Sequence, residues 1–254
     1  MITLFENIKH FFTLRFEHGE KINIEYPTSW EHMSAEDFRN ICIILSQQHG
    51  RKEFIFLALC ALAHIRPDNL IKYNPKKLKD NVVFIIHGKS YVIKPAVIAE
   101  ACGQLEFILD SVGLAPSPFP TVDRKIYGIS FGQFFKTDAY MMRYSADDRN
   151  EKWLAEAAKA LTNGRIRKLL PWQRKGLPIW WNGVKKYLKE KYPYVFKDGD
   201  GSGYQDKTQA DILQELLSCM NGDRPQENEK ILQSDVYSVL FSLNEIYRKN
   251  QEKC

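Results

Sequence analysis

Hydrophobic positions along the chain change period several times, and each change marks an element. The densest signal lies between Ser34 and Pro67, where Phe38, Ile41, Cys42 and Leu45 recur at i, i+3, i+4, i+7 and ten apolar residues then run unbroken from Phe54 to Ala63. The first spacing predicts a helix opened by the capping-box-like pair Ser34 and Asp37 and closed by His49-Gly50. The second predicts a helix from Arg51 to about Ile65, apolar on nearly every side, therefore buried, and stopped by Pro67. On either side the period drops to two. Phe12, Leu14 and Phe16 approach His18-Gly19 and the pattern returns through Ile22, Ile24 and Tyr26; Val83, Phe84, Ile85 and Ile86 lead into His87-Gly88 and out through Tyr91, Val92 and Ile93. Both stretches predict β-hairpins. A lone hairpin is marginal in water, so the simplest use of two is one small antiparallel sheet laid over the buried helix. The shared His-Gly step reads as turn chemistry and not as an internal repeat.

Beyond the second hairpin the helical period takes over. Ala96 to Leu109 carries Ile98, Ala101, Cys102 and Leu105 along one stripe, and Leu114 to Pro120 then places three prolines in five residues, which forbids helix and predicts an extended connector. This divides the chain into a hairpin, helix-pair, hairpin domain at 1–112 and a helical lobe at 121–254. Within the lobe, helices are predicted over Gly128 to Tyr144, Glu151 to Leu161, Pro178 to Lys191, Ile212 to Met220 and Asn228 to about Lys249. The expected class is α+β, predominantly helical, with two β-hairpins forming a small antiparallel sheet near the N-terminus.

Composition adds less than pattern. A chain of 254 residues with 44% hydrophobic content can bury a sizeable core. Five cysteines without a C-x-x-C pair, three of them inside apolar helical stripes, suit a reducing compartment. The ten-residue apolar run is short of the roughly 20 residues that a membrane span needs. A soluble, cytoplasmic protein without membrane association is expected.

Net charge of +5 conceals an uneven distribution. Between Arg165 and Lys197 ten cations face the single acid Glu190, a local charge of +9 that leaves the remainder at −4, and Trp172, Trp180, Trp181, Tyr187, Tyr192, Tyr194 and Phe196 are interleaved with them. Cations that neutralise phosphates beside rings that stack on bases make a candidate nucleic-acid surface, with Arg165, Arg167, Lys168, Trp172, Arg174, Lys175, Lys185 and Lys186 as its residues. Helical spacing favours a plainer arrangement, in which Trp181, Val184 and Leu188 face the core and Lys185, Lys186 and Lys189 face water. Residues 198–209 place Asp198, Asp200, Ser202 and Asp206 at the oxygen-ligand positions of a twelve-residue calcium loop, with Gly203 at the sharp turn. Gln209 stands where the closing carboxylate belongs, so a glycine-rich linker over 197–207 is the favoured reading and calcium the lesser one. All six histidines fall in the first third of the chain, and none has H-x-x-x-H spacing. The nucleophile-elbow, phosphate-loop and dinucleotide-loop patterns are missing too, which argues against an enzyme, and no cofactor is expected.

Four short stretches point to a family. Pro27-Thr28-Ser29-Trp30 with Met33-Ser34, Asp138-Ala139-Tyr140-Met141 with Tyr144, Tyr192-Pro193-Tyr194-Val195-Phe196, and Asp235-Val236-Tyr237-Ser238-Val239-Leu240 resemble, in that order, uncharacterised proteins encoded in bacterial phage and prophage tail regions. The resemblance carries over no catalytic residue. It implies a non-enzymatic, protein-binding assembly factor, a chaperone or adaptor for a long helical tail component. Such a factor needs an apolar face for its partner, and the wide stripe of the last helix offers Val236, Tyr237, Leu240, Leu243 and Tyr247 as candidates, against the plainer reading that this stripe completes the core. The alternative function is the nucleic-acid-binding module at 165–197.

Overall fold

A computed structural model of the chain describes residues 10–15, 21–47, 49–63, 82–86, 89–93, 95–110, 113–196, 209–222 and 224–252. The described residues fall into two compact units, Met1–Pro116 and Ser117–Cys254, and the division lies inside the proline-rich stretch. That stretch is not a free connector. Leu114, Ala115 and Phe119 are buried, and the Pro118 carbonyl accepts a hydrogen bond from Gln173 Nε2 at 3.2 Å.

In the first unit, strands β1 (His10–Arg15) and β2 (Lys21–Tyr26) pair antiparallel with Phe12 opposite Ile24 and Leu14 opposite Ile22. Strands β3 (Val82–Ile86) and β4 (Lys89–Ile93) pair likewise, Phe84 opposite Tyr91. The two ladders remain separate two-stranded pairs, and no sheet joins them among the described residues. The expected α+β class with a common sheet is therefore corrected: the fold is all-α, carried by helices, with the hairpins as local excursions. A turn fixes register within its own hairpin, but nothing local in the sequence selects a partner for the hairpin's outer edge.

Helices α1 (Ala35–Ser46), α2 (Arg51–Leu62) and α3 (Pro95–Gln104) build this unit's core. Ser34 caps α1 by accepting the Asp37 amide at 3.0 Å, as the capping pattern requires. Along α2, Phe54, Ile55, Ala58, Leu59, Cys60 and Leu62 are buried, while Phe56, Leu57 and Ala61 are half-buried, so one side of this helix is less enclosed than its composition predicts. Trp30, in a short 3₁₀ turn, is the anchor: its ring meets Phe38 and Phe107 edge-on, both at 5.8 Å, and its indole N–H donates to the Asp110 carbonyl at 2.9 Å.

The second unit contains α4 (Phe131–Ala146), α5 (Glu151–Leu161), α6 (Pro171–Lys191), α7 (Gln209–Asn221), α8 (Asn228–Gln233) and α9 (Val236–Gln251). Ser130 and Gln133 form a capping box that starts α4. Helix α6 begins seven residues before the predicted start and runs through Pro178. Proline at Pro171 suits a helix start, and the buried face of Gln173, Leu177, Trp180, Trp181, Val184 and Leu188 holds the helix together across the missing hydrogen bond at Pro178. The single predicted C-terminal helix is two helices. Ser234 and Asp235 interrupt it, because the Ser234 carbonyl accepts the Phe131 amide at 2.8 Å and the Ile129 carbonyl accepts the Val236 amide at 3.0 Å.

Candidate functional site

Three helices of the second unit present apolar residues to one hollow. On α4, Phe131, Phe134 and Phe135 stand at i, i+3, i+4; on α9, Leu240, Leu243 and Tyr247 at i, i+3, i+7; on α7, Ile212 and Leu216 at i, i+4. Val195 and Phe196, in the turn after α6, complete a cleft of about 690 Å³. That turn is tied to α9 by the Tyr194 amide, which donates to Asn244 Oδ1 at 3.0 Å. Polar groups enter at one edge. Lys185 Nζ donates to both oxygens of Asp138, at 2.7 and 2.8 Å, and Trp181 Nε1 donates to Asp138 Oδ1 at 3.1 Å. Asn250 and Gln251 lie at the rim. A cleft of this size with apolar walls and a few convergent polar groups is suited to binding.

A second hollow of about 590 Å³ lies between α4, α5, α7 and α8. Its charges are partly spoken for: Lys159 pairs with Glu156 at 3.6 Å, and the Gln133 side-chain amide donates to the carbonyls of Ala160 and Leu161 at the end of α5.

The basic and aromatic segment separates into three groups. Trp180 and Trp181 are core residues, at 0% and 1% exposure, with their indole N–H groups donating to the Arg124 carbonyl and to Asp138. Arg174 pairs with Glu151, Lys185 with Asp138, and Lys186 approaches Glu190 at 4.0 Å. Lys185 thus departs from the solvated role that helical spacing predicts; it is half-buried over a carboxylate that Trp181 also uses. Lys191 lies over the Tyr237 ring at 4.2 Å, and Lys125 over Tyr187 at 5.2 Å. What remains exposed at the head of the segment is Arg165, Arg167, Lys168 and Lys175, with Trp172 half-buried beside them in sequence.

The expected partner face on α9 is largely enclosed by its own unit. Val236, Leu240 and Leu243 are at most 1% exposed, and Tyr237 donates its hydroxyl to the Lys125 carbonyl and stacks on Tyr127 at 4.9 Å. Burial, with Tyr187 and Tyr127 adjacent, pushes the Tyr237 hydroxyl well above the usual phenol range. Leu240, Leu243 and Tyr247 line the cleft, and of these three Tyr247 is half-buried. Sequence reasoning missed the α4 and α7 walls of that cleft. The Phe131, Phe134, Phe135 spacing was the available signal, but it reads equally well as an ordinary core stripe.

Asp198, Asp200, Ser202 and Asp206 of the expected calcium loop lie outside the described residues, as do His18, His64 and His87. Among the described residues no group of three or more His, Cys, Asp or Glu side chains is placed to hold a metal ion, and no helix is long and apolar enough to cross a membrane. No family model, curated protein or solved structure matches the chain.

Proposed function

We propose that this protein is a non-enzymatic assembly factor that captures another protein, and that the cleft walled by α4, α7 and α9 seats an amphipathic helix of that partner. The observation that carries the reading is the cleft itself. Its walls combine the buried Phe131, Phe134, Leu240 and Leu243 with the half-buried Phe135, Phe196, Ile212, Leu216 and Tyr247, and its edge is polar. Helix-in-groove recognition uses this combination, with apolar anchors at i, i+3, i+4, i+7 entering the groove and polar groups at the rim fixing register. The resemblance to phage and prophage tail-region proteins supports the same reading, because it implies a long helical client.

The test places a photo-crosslinking amino acid at Leu216 in the full chain, in its native host, and sequences the crosslinked peptide. A single partner joined through an amphipathic helical segment is the expected result. The same segment, made as a peptide, should bind the purified protein and lose at least tenfold in affinity with Leu216→Glu, provided that the variant keeps its helical circular dichroism. Crosslinks to polar, non-helical segments, or affinity unchanged in a folded Leu216→Glu protein, would overturn the proposal.

A further inference from the structure

The exposed cations left over from the basic segment occupy one short stretch. Within 165–175, Arg165, Arg167, Lys168 and Lys175 are exposed, and no Asp or Glu occurs anywhere between Glu156 and Glu190. Two buried polar side chains hold this stretch at its ends. Thr162, 5% exposed, accepts the Ile166 amide on its hydroxyl at 3.1 Å, just after the left-handed pair Asn163 and Gly164. Gln173, 7% exposed, accepts the Leu170 amide at 3.0 Å while donating to the Pro118 carbonyl. Burying an amide and a hydroxyl to fix a surface turn is costly unless each is bonded, and here each both donates and accepts, Thr162 donating to the Ala158 carbonyl at 2.8 Å. The result is a turn of set shape that displays four positive charges at the start of α6, where the helix's own N–H groups add to the positive field.

We infer that the turn joining α5 to α6 is a binding ledge for a nucleic-acid backbone, contacting phosphates through Arg165, Arg167, Lys168 and Lys175 without reading bases. Stacking is not what the ledge offers. Of the tryptophans, Trp180 and Trp181 are buried and Trp172 is only half-exposed, and Tyr187 is already covered by Lys125 and Lys191. Contact through cations alone is sequence-independent and weakens with salt as counterions return to the phosphates. An anionic membrane fits less well, because interfacial binding needs several apolar side chains on one face, and among these residues only Leu170 is an exposed large hydrophobic. This inference is independent of the partner-helix cleft.

Fluorescence anisotropy of the full-length protein with a labelled 30-base-pair duplex tests it. Up to four phosphate contacts correspond to a slope of log affinity against log salt near −3.6, or about a 150-fold loss between 50 and 200 mM salt. The double reversal Arg165→Glu with Lys168→Glu should abolish binding, whereas Arg165→Lys with Lys168→Arg should keep it within about twofold, since charge and not identity matters. Lys249→Glu, at the far end of α9, should change little. No binding at 50 mM salt would overturn the inference, as would binding that survives the double reversal. Tighter capture by phosphatidylglycerol vesicles or by poly-glutamate than by the duplex would also overturn it, giving the ledge to a membrane or to an acidic protein.

Discussion

Glu31 shows how one side chain can join distant parts of the chain. Its carboxylate accepts the Leu114 amide at 2.9 Å, and a side chain at Gly113 would place its first carbon 2.9 Å from both that carboxylate and the Trp30 Cβ. Only glycine lets the backbone approach so closely. Burial alone would raise the Glu31 pKa, but hydrogen bonds from the Leu114 amide, its own amide and Ser29 outweigh it and hold the group below its ordinary 4.5. A depressed carboxylate stabilises the fold above its unfolded pKa, and that stability is lost as pH falls through the lower folded value. The urea midpoint of the wild type should therefore drop between pH 6 and pH 3 by more than that of Glu31→Gln, which also starts lower at pH 6. Nothing in the local sequence marks this residue, because its partner is more than eighty positions away. Cys42 and Cys60 were more legible. Their place in apolar stripes predicted small buried hydrophobes, and burial raises both thiols, Cys60 to about 12. Native chain should accordingly react with a thiol reagent at exposed Cys219 well before Cys42 or Cys60, whose labelling waits on opening of the first unit.

At the scale of elements, helices that carry both an apolar period and a cap were readable to within a few residues. Helix α5 matches its predicted span, α1 begins at its Ser34 cap, and α4 begins at the Ser130 box. Errors arose where period and punctuation disagreed. Pro178 looked like a helix start because proline disfavours helix interiors, yet the buried face of α6 outweighs that penalty on both sides of it. Between α8 and α9 the apolar period continues without interruption, and the break comes from the pairing of Ser130 with Asp235. The signal was nonetheless present. Asp235 accepts the amides of Tyr237 and Ser238, as an N-cap should, and Ser-Asp before an apolar run is a helix-start pattern. Asp235→Ala should cost about 1 kcal/mol in urea unfolding, with little effect on helical content at low denaturant. Gly132 explains how α8 comes so near α4: a Cβ there would lie 3.0 Å from the Leu232 carbonyl oxygen.

For the whole molecule, the chain contains two units with separate cores, one centred on Trp30 and the other on Trp180 and Trp181. A fragment of residues 117–254 keeps the second unit's buried residues and should show cooperative thermal loss of helical circular dichroism. Non-cooperative melting of that fragment would show that it depends on the first unit. The sequence by itself determined the local matters: that most of the chain after Ser34 is helical, that Ser34 opens the first of those helices, and that positive charge gathers after Arg165. These follow from periods and neighbours a few residues apart. Tertiary structure alone decided that the two hairpins form separate ladders among the described residues, which lysines are held by Asp138 or Glu190 and which are exposed, and which of several equivalent apolar stripes is closed over and which lines a cleft. Each of those depends on free energies between residues far apart in the chain, where loop closure and burial, not local preference, select the partner.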